Sequence, residues 1–160
     1  MRVGVDVGSV RVGVATCDPA GLLATPVETL RRGRGDLDAL SHIVTEREAI
    51  EVVVGLPTTL AGRHGPAAAA AEEFARAVAG VVAVPVRLVD ERLSTVGALR
   101  DLRSSGVDTR RGRRVVDQAA AVIILQGALD TERQTGEAPG QVVERASGAP
   151  GPTHDAKGER

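Results

Sequence analysis

Three acidic residues stand where a folded α/β chain could bring them together. Asp6 lies in Val5-Asp6-Val7-Gly8, at the end of the first predicted strand. Glu91 lies in Leu88-Val89-Asp90-Glu91-Arg92-Leu93-Ser94-Thr95, where a strand gives way to a helix. Asp117 opens a very apolar helical stretch that runs through Ile123, Ile124 and Leu125. A carboxylate in or beside a buried element is costly unless something offsets its charge. Three at element ends suggest one hard divalent cation, or two, held by oxygen ligands. Each also has a plain structural explanation: Asp6 as a turn cap, Glu91 as a partner of Arg92, Asp117 as a charge that suits the N-terminal dipole of its helix. The sequence holds no His and Cys cluster with zinc-like spacing.

Basic residues supply the second chemistry. Arg110, Arg111, Arg113 and Arg114 precede Asp117, with Arg100 and Arg103 further upstream and only Asp101 and Asp108 to oppose them between 100 and 114. Such a run is either a solvated face or a phosphate-binding patch, and its place before the Asp117 helix favours phosphate. Arg31, Arg32 and Arg34 form a second basic loop. Arg11 could reach a phosphate or brace Asp6. Thr58, Thr59, Arg63 and His64 follow Leu56-Pro57 in a polar loop, where His64 reads as plain surface with substrate contact as the alternative; Asp90 reads as structural, and Cys17 reads as an inert core thiol.

The elements that must position these residues follow from periodicity. Residues 2–8 alternate, with Val3, Val5 and Val7 facing one way and Gly4, Asp6 and Gly8 the other, which predicts a strand. A turn at Gly8-Ser9, a returning strand from Arg11 to Cys17 and a third strand over 22–30 predict an antiparallel meander. Asp36 opens a helix bearing Leu37, Leu40, Ile43 and Val44. Val52–Leu56 and Val84–Val89 read as buried strands, separated by an Ala-rich helix over 67–79 with Phe74 on its inner side. Ser94 or Thr95 caps a helix ending near Gly106, and the apolar helix runs from about Val115 to Leu129. A meander followed by βαβα units predicts an α/β fold with a mixed five-stranded sheet and helices on both faces. From Thr131 to Arg160 the apolar pattern stops, so the expected division is a folded domain over 1–130 and a disordered tail over 131–160.

Composition narrows the function. The chain has 160 residues, one Phe and neither Trp nor Tyr, so its core is aliphatic and base stacking on aromatics is nearly excluded. Net charge is −1, so any polyanion site is a local patch. Of 20 Lys and Arg residues only Lys157 is Lys, and arginine is the better phosphate partner. Cys17 is the single cysteine, so no intrachain disulfide forms. The first residues read as a strand and not as a signal peptide, and no apolar run reaches transmembrane length, so a soluble, cytoplasmic protein without membrane partners is expected.

Four blocks, in order, resemble the YqgF/RuvX family. Gly4-Val5-Asp6-Val7-Gly8 with Arg11-Val12-Gly13-Val14-Ala15 is similar to the family's opening, Val54-Gly55-Leu56-Pro57 with Gly62 to its second block, Asp90–Thr95 to its third, and Asp117-Gln118-Ala119-Ala120 with Ile124-Leu125-Gln126 to its last. The resemblance spans about residues 1–130. One departure is Val10, where the family often has Lys, which puts a phosphate contact at that position in doubt. The resemblance implies an RNase H-like fold and a Mg²⁺- or Mn²⁺-dependent endonuclease with two ions. Its acidic residues would match Asp6, Glu91 and Asp117, and on the charge reading above Arg11, Arg110, Arg111, Arg113 and Arg114 are the residues expected against nucleic acid. It implies precursor 16S rRNA or Holliday junctions as substrate, and a symmetric junction would suit a homodimer. Two rivals stand beside it: a non-catalytic RNA-processing or transcription factor that keeps the fold, and an actin-like ATP-handling domain.

Overall fold

The structure, a computed structural model, describes residues 1–58, 65–97, 99 and 110–144, and of 110–114 the backbone alone. Strand β1 (Arg2–Val7) turns through Gly8 into β2 (Arg11–Cys17), and β3 (Ala24–Arg31) completes the meander. Helix α1 (Asp36–Glu46) leads to β4 (Glu51–Leu56), and α2 (Pro66–Val81) leads to β5 (Val86–Asp90). A 3-10 turn at Glu91–Leu93 follows, then α3 (Arg110–Thr135) and a short β6 (Gln141–Val142). The strands form one mixed sheet in the order β3-β2-β1-β4-β5-β6. β1 is antiparallel to β2 and parallel to β4, so it lies between the meander and the crossover units.

Alternation along the strands decides which face each helix covers. Val3, Val5, Val12, Val14, Val52 and Val54 pack with Leu40, Ile43, Phe74 and Val78 under α1 and α2. Ala15, Val53 and Val89 pack with Ala121, Ile124, Leu125 and Leu129 under α3. Gly4 belongs to the α3 face: a Cβ there would come within 2.6 Å of Leu125 Cβ. A strand that sends valines one way and Gly-Asp-Gly the other thus lets a long helix lie close over its polar side.

Two expectations change. Among the described residues the sheet has six strands, because Gln141–Val142 pairs antiparallel with β5 at Leu88 and Arg87. Helix α3 is longer than its apolar stretch, starting at Arg110 and ending at Thr135, beyond the boundary expected at 130. The physical reason is local. Thr131 and Thr135 accept helical geometry by bonding their hydroxyls to the carbonyls of Gly127 and Thr131, and Arg2 forms an ion pair with Glu132 at 3.0 Å. Polar residues therefore carry the last turn, and apolar periodicity does not register them. The remaining residues of the expected tail, 145–160, lie outside the described residues.

Candidate active site

Asp6 is the sixth residue of the chain and only 2 % exposed. Its Cα partner on β2 is Gly13, and the parallel ladder to β4 reaches Val5↔Val54, one step short of Gly55. Asp6 is thus bracketed by two glycines. A Cβ on Gly13 would collide with the carbonyl oxygen of Asp117. A Cβ on Gly55 would come within 3.1 Å of Glu91 Oε1 and 2.6 Å of Ile124 Cδ1. The three acidic residues therefore gather on one face of the sheet, the α3 face, at the end where β1, β4 and β5 finish. The glycines are what permit this approach: any side chain at 13 or 55 would stand where Asp117 or Glu91 stands.

Each acid is delivered by a different element. Asp6 sits on β1 itself. Glu91 opens the 3-10 turn, which is held by two bonds to its own carbonyl oxygen, from Ser94 N–H at 3.0 Å and Ser94 Oγ at 2.9 Å. Gly127 of α3 lets that turn lie close, since a Cβ there would be 2.9 Å from Ser94 Cβ. Asp117 is on α3 and 4 % exposed, and Arg11 Nε donates to its Oδ2 at 2.6 Å. Arg11, considered from the sequence for a phosphate or for Asp6, begins β2 and bonds Asp117.

Asp90 has the structural role expected of it, and more. Its carboxylate accepts from Arg92 Nε and Nη2, the latter at 2.6 Å, from Arg92 N–H at 2.8 Å and from Thr58 Oγ1 at 2.8 Å. The Arg92 guanidinium, with help from the Arg92 amide and the Thr58 hydroxyl, holds the Asp90 carboxyl down at about 2 against its ordinary 3.8. The same pairing raises Arg92 above its ordinary value. Thr58 thereby ties the exit of β4 to the Glu91 turn, a tie that the sequence, read as a polar loop, did not reveal. Beside it lies a groove of about 480 Å³ lined by Pro57, Thr58, Glu91, Arg92, Ser94, Val96 and Gly97. Thr59, Arg63 and His64 lie outside the described residues.

The basic candidates divide. Arg31 is the cross-strand partner of Arg11, so both share the α3 face, and Arg31 is exposed. Arg32 is committed to the fold: its Nη1 donates to Gly8 O at 3.0 Å and its guanidinium lies 5.1 Å from the Phe74 ring centre. Arg34 is exposed. Arg110, Arg111, Arg113 and Arg114 supply the backbone of the first turn of α3; their side chains, with Arg100 and Arg103, lie outside the described residues.

Two glutamines of the fourth block, Gln118 and Gln126, fix α3 over the sheet. Gln118 Nε2 donates to Thr29 Oγ1 at 3.2 Å. Gln126 Oε1 accepts from Ala24 N–H at 2.9 Å, while its Nε2 donates to Leu22 O at 2.9 Å. The helix is thus stitched at both ends of β3, and Asp117 is held in register above Gly13.

Carboxylate oxygens are the donors a hard cation takes, and these stand at the end of a sheet, two of them on residues nearly removed from water. Among the described residues no three His, Cys, Asp or Glu side chains stand, as placed, where they could together hold a metal ion. The three acids are carried to the same end and face of the sheet, and Arg11 engages one of them. The residues fit a divalent ion that completes its shell with water and substrate oxygen, as Mg²⁺ does.

Known proteins resemble this chain over most of its length. A family model described as RuvX, Holliday junction resolvase, matches residues 1–131. A Nocardioides protein named "Putative pre-16S rRNA nuclease" is 58% identical over 150 residues, covering 90% of this chain and 96% of its own. A Streptomyces avermitilis protein of the same name is 57% identical over 148 residues, covering 89% and 94%. Among solved structures, Thermus thermophilus RuvC in complex with a Holliday junction substrate superposes with a TM-score of 0.58 at 14% identity, covering 88% of this chain and 98% of that one. That likeness is one of fold: a RuvC-like, RNase H-type sheet.

Proposed function

The chain belongs to the RuvX family of nucleases, phosphodiester hydrolases of RNase H-like fold, and from that premise we propose that it is a Mg²⁺- or Mn²⁺-dependent endonuclease acting on structured nucleic acid in the cytoplasm. Precursor 16S rRNA is the substrate favoured by the relatives' name, and a four-way junction the one favoured by the family's. The observation that carries the reading is the arrangement around Asp6: Glu91 Oε1 and the Asp117 main chain stand over the two glycines that flank it. Asp6, Glu91 and Asp117 would hold the metal. When bound, a divalent ion, or a pair about 3.5–4 Å apart, supplies an activated water and stabilises the leaving oxygen.

The chain's own residues do the positioning. Asp6 is fixed by its strand and Asp117 by the two glutamine stitches. Glu91 is aimed by a turn whose first bond, Arg92 N–H to Asp90, is reinforced from the β4 side by Thr58. Such orientation is a large part of a phosphoryl-transfer site's contribution, since near-attack geometry removes entropy from the barrier. The groove beside Glu91, with Arg92 on its rim, accepts the chain flanking the scissile phosphate. Arg11, Arg31 and the arginines of the first turn of α3 supply phosphate contacts that position without reading bases.

The test is cleavage by the purified full chain, with Mg²⁺ and with Mn²⁺, of precursor 16S rRNA and of a four-way junction, beside Asp6→Asn. Metal-dependent cutting of one substrate, lost in the variant, is expected. Cleavage that survives Asp6→Asn, or none of either substrate with either metal, sinks the proposal.

A further inference from the structure

The geometry points to a second role for Arg11: its guanidinium is the resident cation of the Asp117 carboxylate, and a divalent metal ion taking Asp117 as a ligand displaces it, releasing Arg11 toward a substrate phosphate. The inference rests on the reading of Asp117 as a metal ligand and goes beyond it.

Three observations support the exchange. Arg11 Nε stands 2.6 Å from Asp117 Oδ2, a short charge-assisted bond to a carboxylate whose side chain is only 6 % exposed. That carboxylate is therefore already neutralised, in a place where a second positive charge is poorly screened. A metal ion and a guanidinium sharing it would repel each other at close range, and the mobile one of the two is the arginine. Second, Arg11 has somewhere to go. It is the first residue of β2, its side chain is 24 % exposed, and its cross-strand partner is the exposed Arg31 on the same face. Swung out, the two arginines make a paired phosphate site at the rim of the acidic cluster. Third, the backbone that carries the two partners does not need to move. Gly13 seats the Asp117 carbonyl on β2 and Gln118 bonds Thr29 on β3, so the exchange is a side-chain event on a fixed frame.

The opposite reading is that Arg11 is an outer brace, orienting Asp117 for the metal as hydrogen-bonded partners of ligands commonly do. The two readings differ in sign. Displacement means that removing the guanidinium tightens metal binding; bracing means that removing it loosens binding.

The experiment is calorimetric Mn²⁺ titration of the full chain without nucleic acid, for wild type, Arg11→Gln, Asp117→Asn and the double variant. Displacement predicts tighter Mn²⁺ binding by Arg11→Gln, by at least about fivefold, the lower end of ordinary coupling between sites. It also predicts that this gain disappears in the Asp117→Asn background. In saturating Ca²⁺, Arg11→Gln should weaken duplex binding and lower the salt slope by about 0.9, the share of one neutralised phosphate. Weaker or unchanged Mn²⁺ binding in Arg11→Gln, with wild type binding normally, overturns the exchange and leaves the nuclease reading standing. Absence of Mn²⁺ binding in wild type removes both. Should Arg11→Gln not fold, the wild type itself decides by nitrogen NMR of the arginine side chains. The Arg11 Nε–H signal should lose its hydrogen-bonded shift as Mg²⁺ is added, and a signal unchanged at saturating Mg²⁺ overturns the exchange.

Discussion

Asp90 and Glu91 are adjacent, and their environments assign them different work. Asp90 accepts from the Arg92 guanidinium, the Arg92 amide and the Thr58 hydroxyl, which hold its carboxyl down at about 2. Because its folded value lies below the ordinary 3.8, its contribution to stability is fully present above about pH 4 and is lost as pH falls toward 2. Acid denaturation of Asp90→Asn, followed by circular dichroism, should therefore lack that part of the wild-type stability loss; a curve of the same shape would mean the clamp contributes nothing. Thr58→Val removes the tie to β4 and should lower kcat more than it raises KM, with Thr58→Ser restoring it. Asp6→Asn, Glu91→Gln and Asp117→Asn should each abolish cleavage without unfolding the protein. For Asp6, buried at 2 % exposure among other acids, relief of charge repulsion should hold or raise the Tm measured in chelator. At this scale the sequence offered candidates and not their partners. The three acids stand out because a charge at the end of an apolar run is anomalous. That Arg11 reaches Asp117, 106 positions away, or that Thr58 reaches Asp90, has no local signature and emerges only once the strands and α3 are stacked.

Among the elements, α3 is the one whose placement makes the site, and the glycines under it set how close it comes. Gly13→Ala would drive a methyl group into the Asp117 carbonyl, a backbone atom that cannot rotate aside. Overpacking of this kind typically costs about 1–3 kcal/mol, and here it would also lift Asp117 off the sheet. The expected outcome is a lower Tm together with loss of metal binding; a variant with wild-type Tm and Mn²⁺ affinity would mean that α3 is not seated as described. The meander, both crossover strands and α1 and α2 could be read from alternation and from the 3.6 period, because each has a recognisable apolar side. β6 could not: Gln141 and Val142 are both exposed, and two residues give no periodicity. Nor could the polar ends of α3, an arginine turn at one end and, at the other, a turn held by hydroxyl bonds and the ion pair with Arg2. Cys17 at 2 % exposure, its sulfur accepting from Arg2 N–H, belongs to the α3-side core. Oxidised samples should consequently show no disulfide-linked dimer on non-reducing gels, and a dimer band that vanishes in Cys17→Ser would contradict that burial.

For the whole molecule the deciding quantities are where the folded unit ends and where its charge lies. No helix among the described residues is long and apolar enough to cross a membrane. Truncation after residue 144 should leave the Tm unchanged, since 145–160 carries no apolar pattern, whereas truncation after 130 removes Glu132 and β6 and should lower it. Charge is the harder matter. With a net charge of −1 the molecule has no general attraction for nucleic acid, so binding must come from a local group of arginines beside the acidic cluster. Two groups compete. Arg110, Arg111, Arg113 and Arg114 enter α3 within two turns of Asp117, and Arg11 with Arg31 flanks the cluster on the β2–β3 side. Replacing the four α3 arginines with Ala should weaken binding equally across sequences. The salt slope should fall by about 0.9 for each duplex phosphate no longer neutralised, or by about 0.7 on single strands. Mn²⁺ affinity should be retained, because none of the four is an oxygen ligand. If affinity and slope both stay at wild-type values, the α3 run is a solvated face. The polyanion then lies along β2 and β3, and Arg31→Ala with Arg34→Ala becomes the pair of substitutions that must weaken binding.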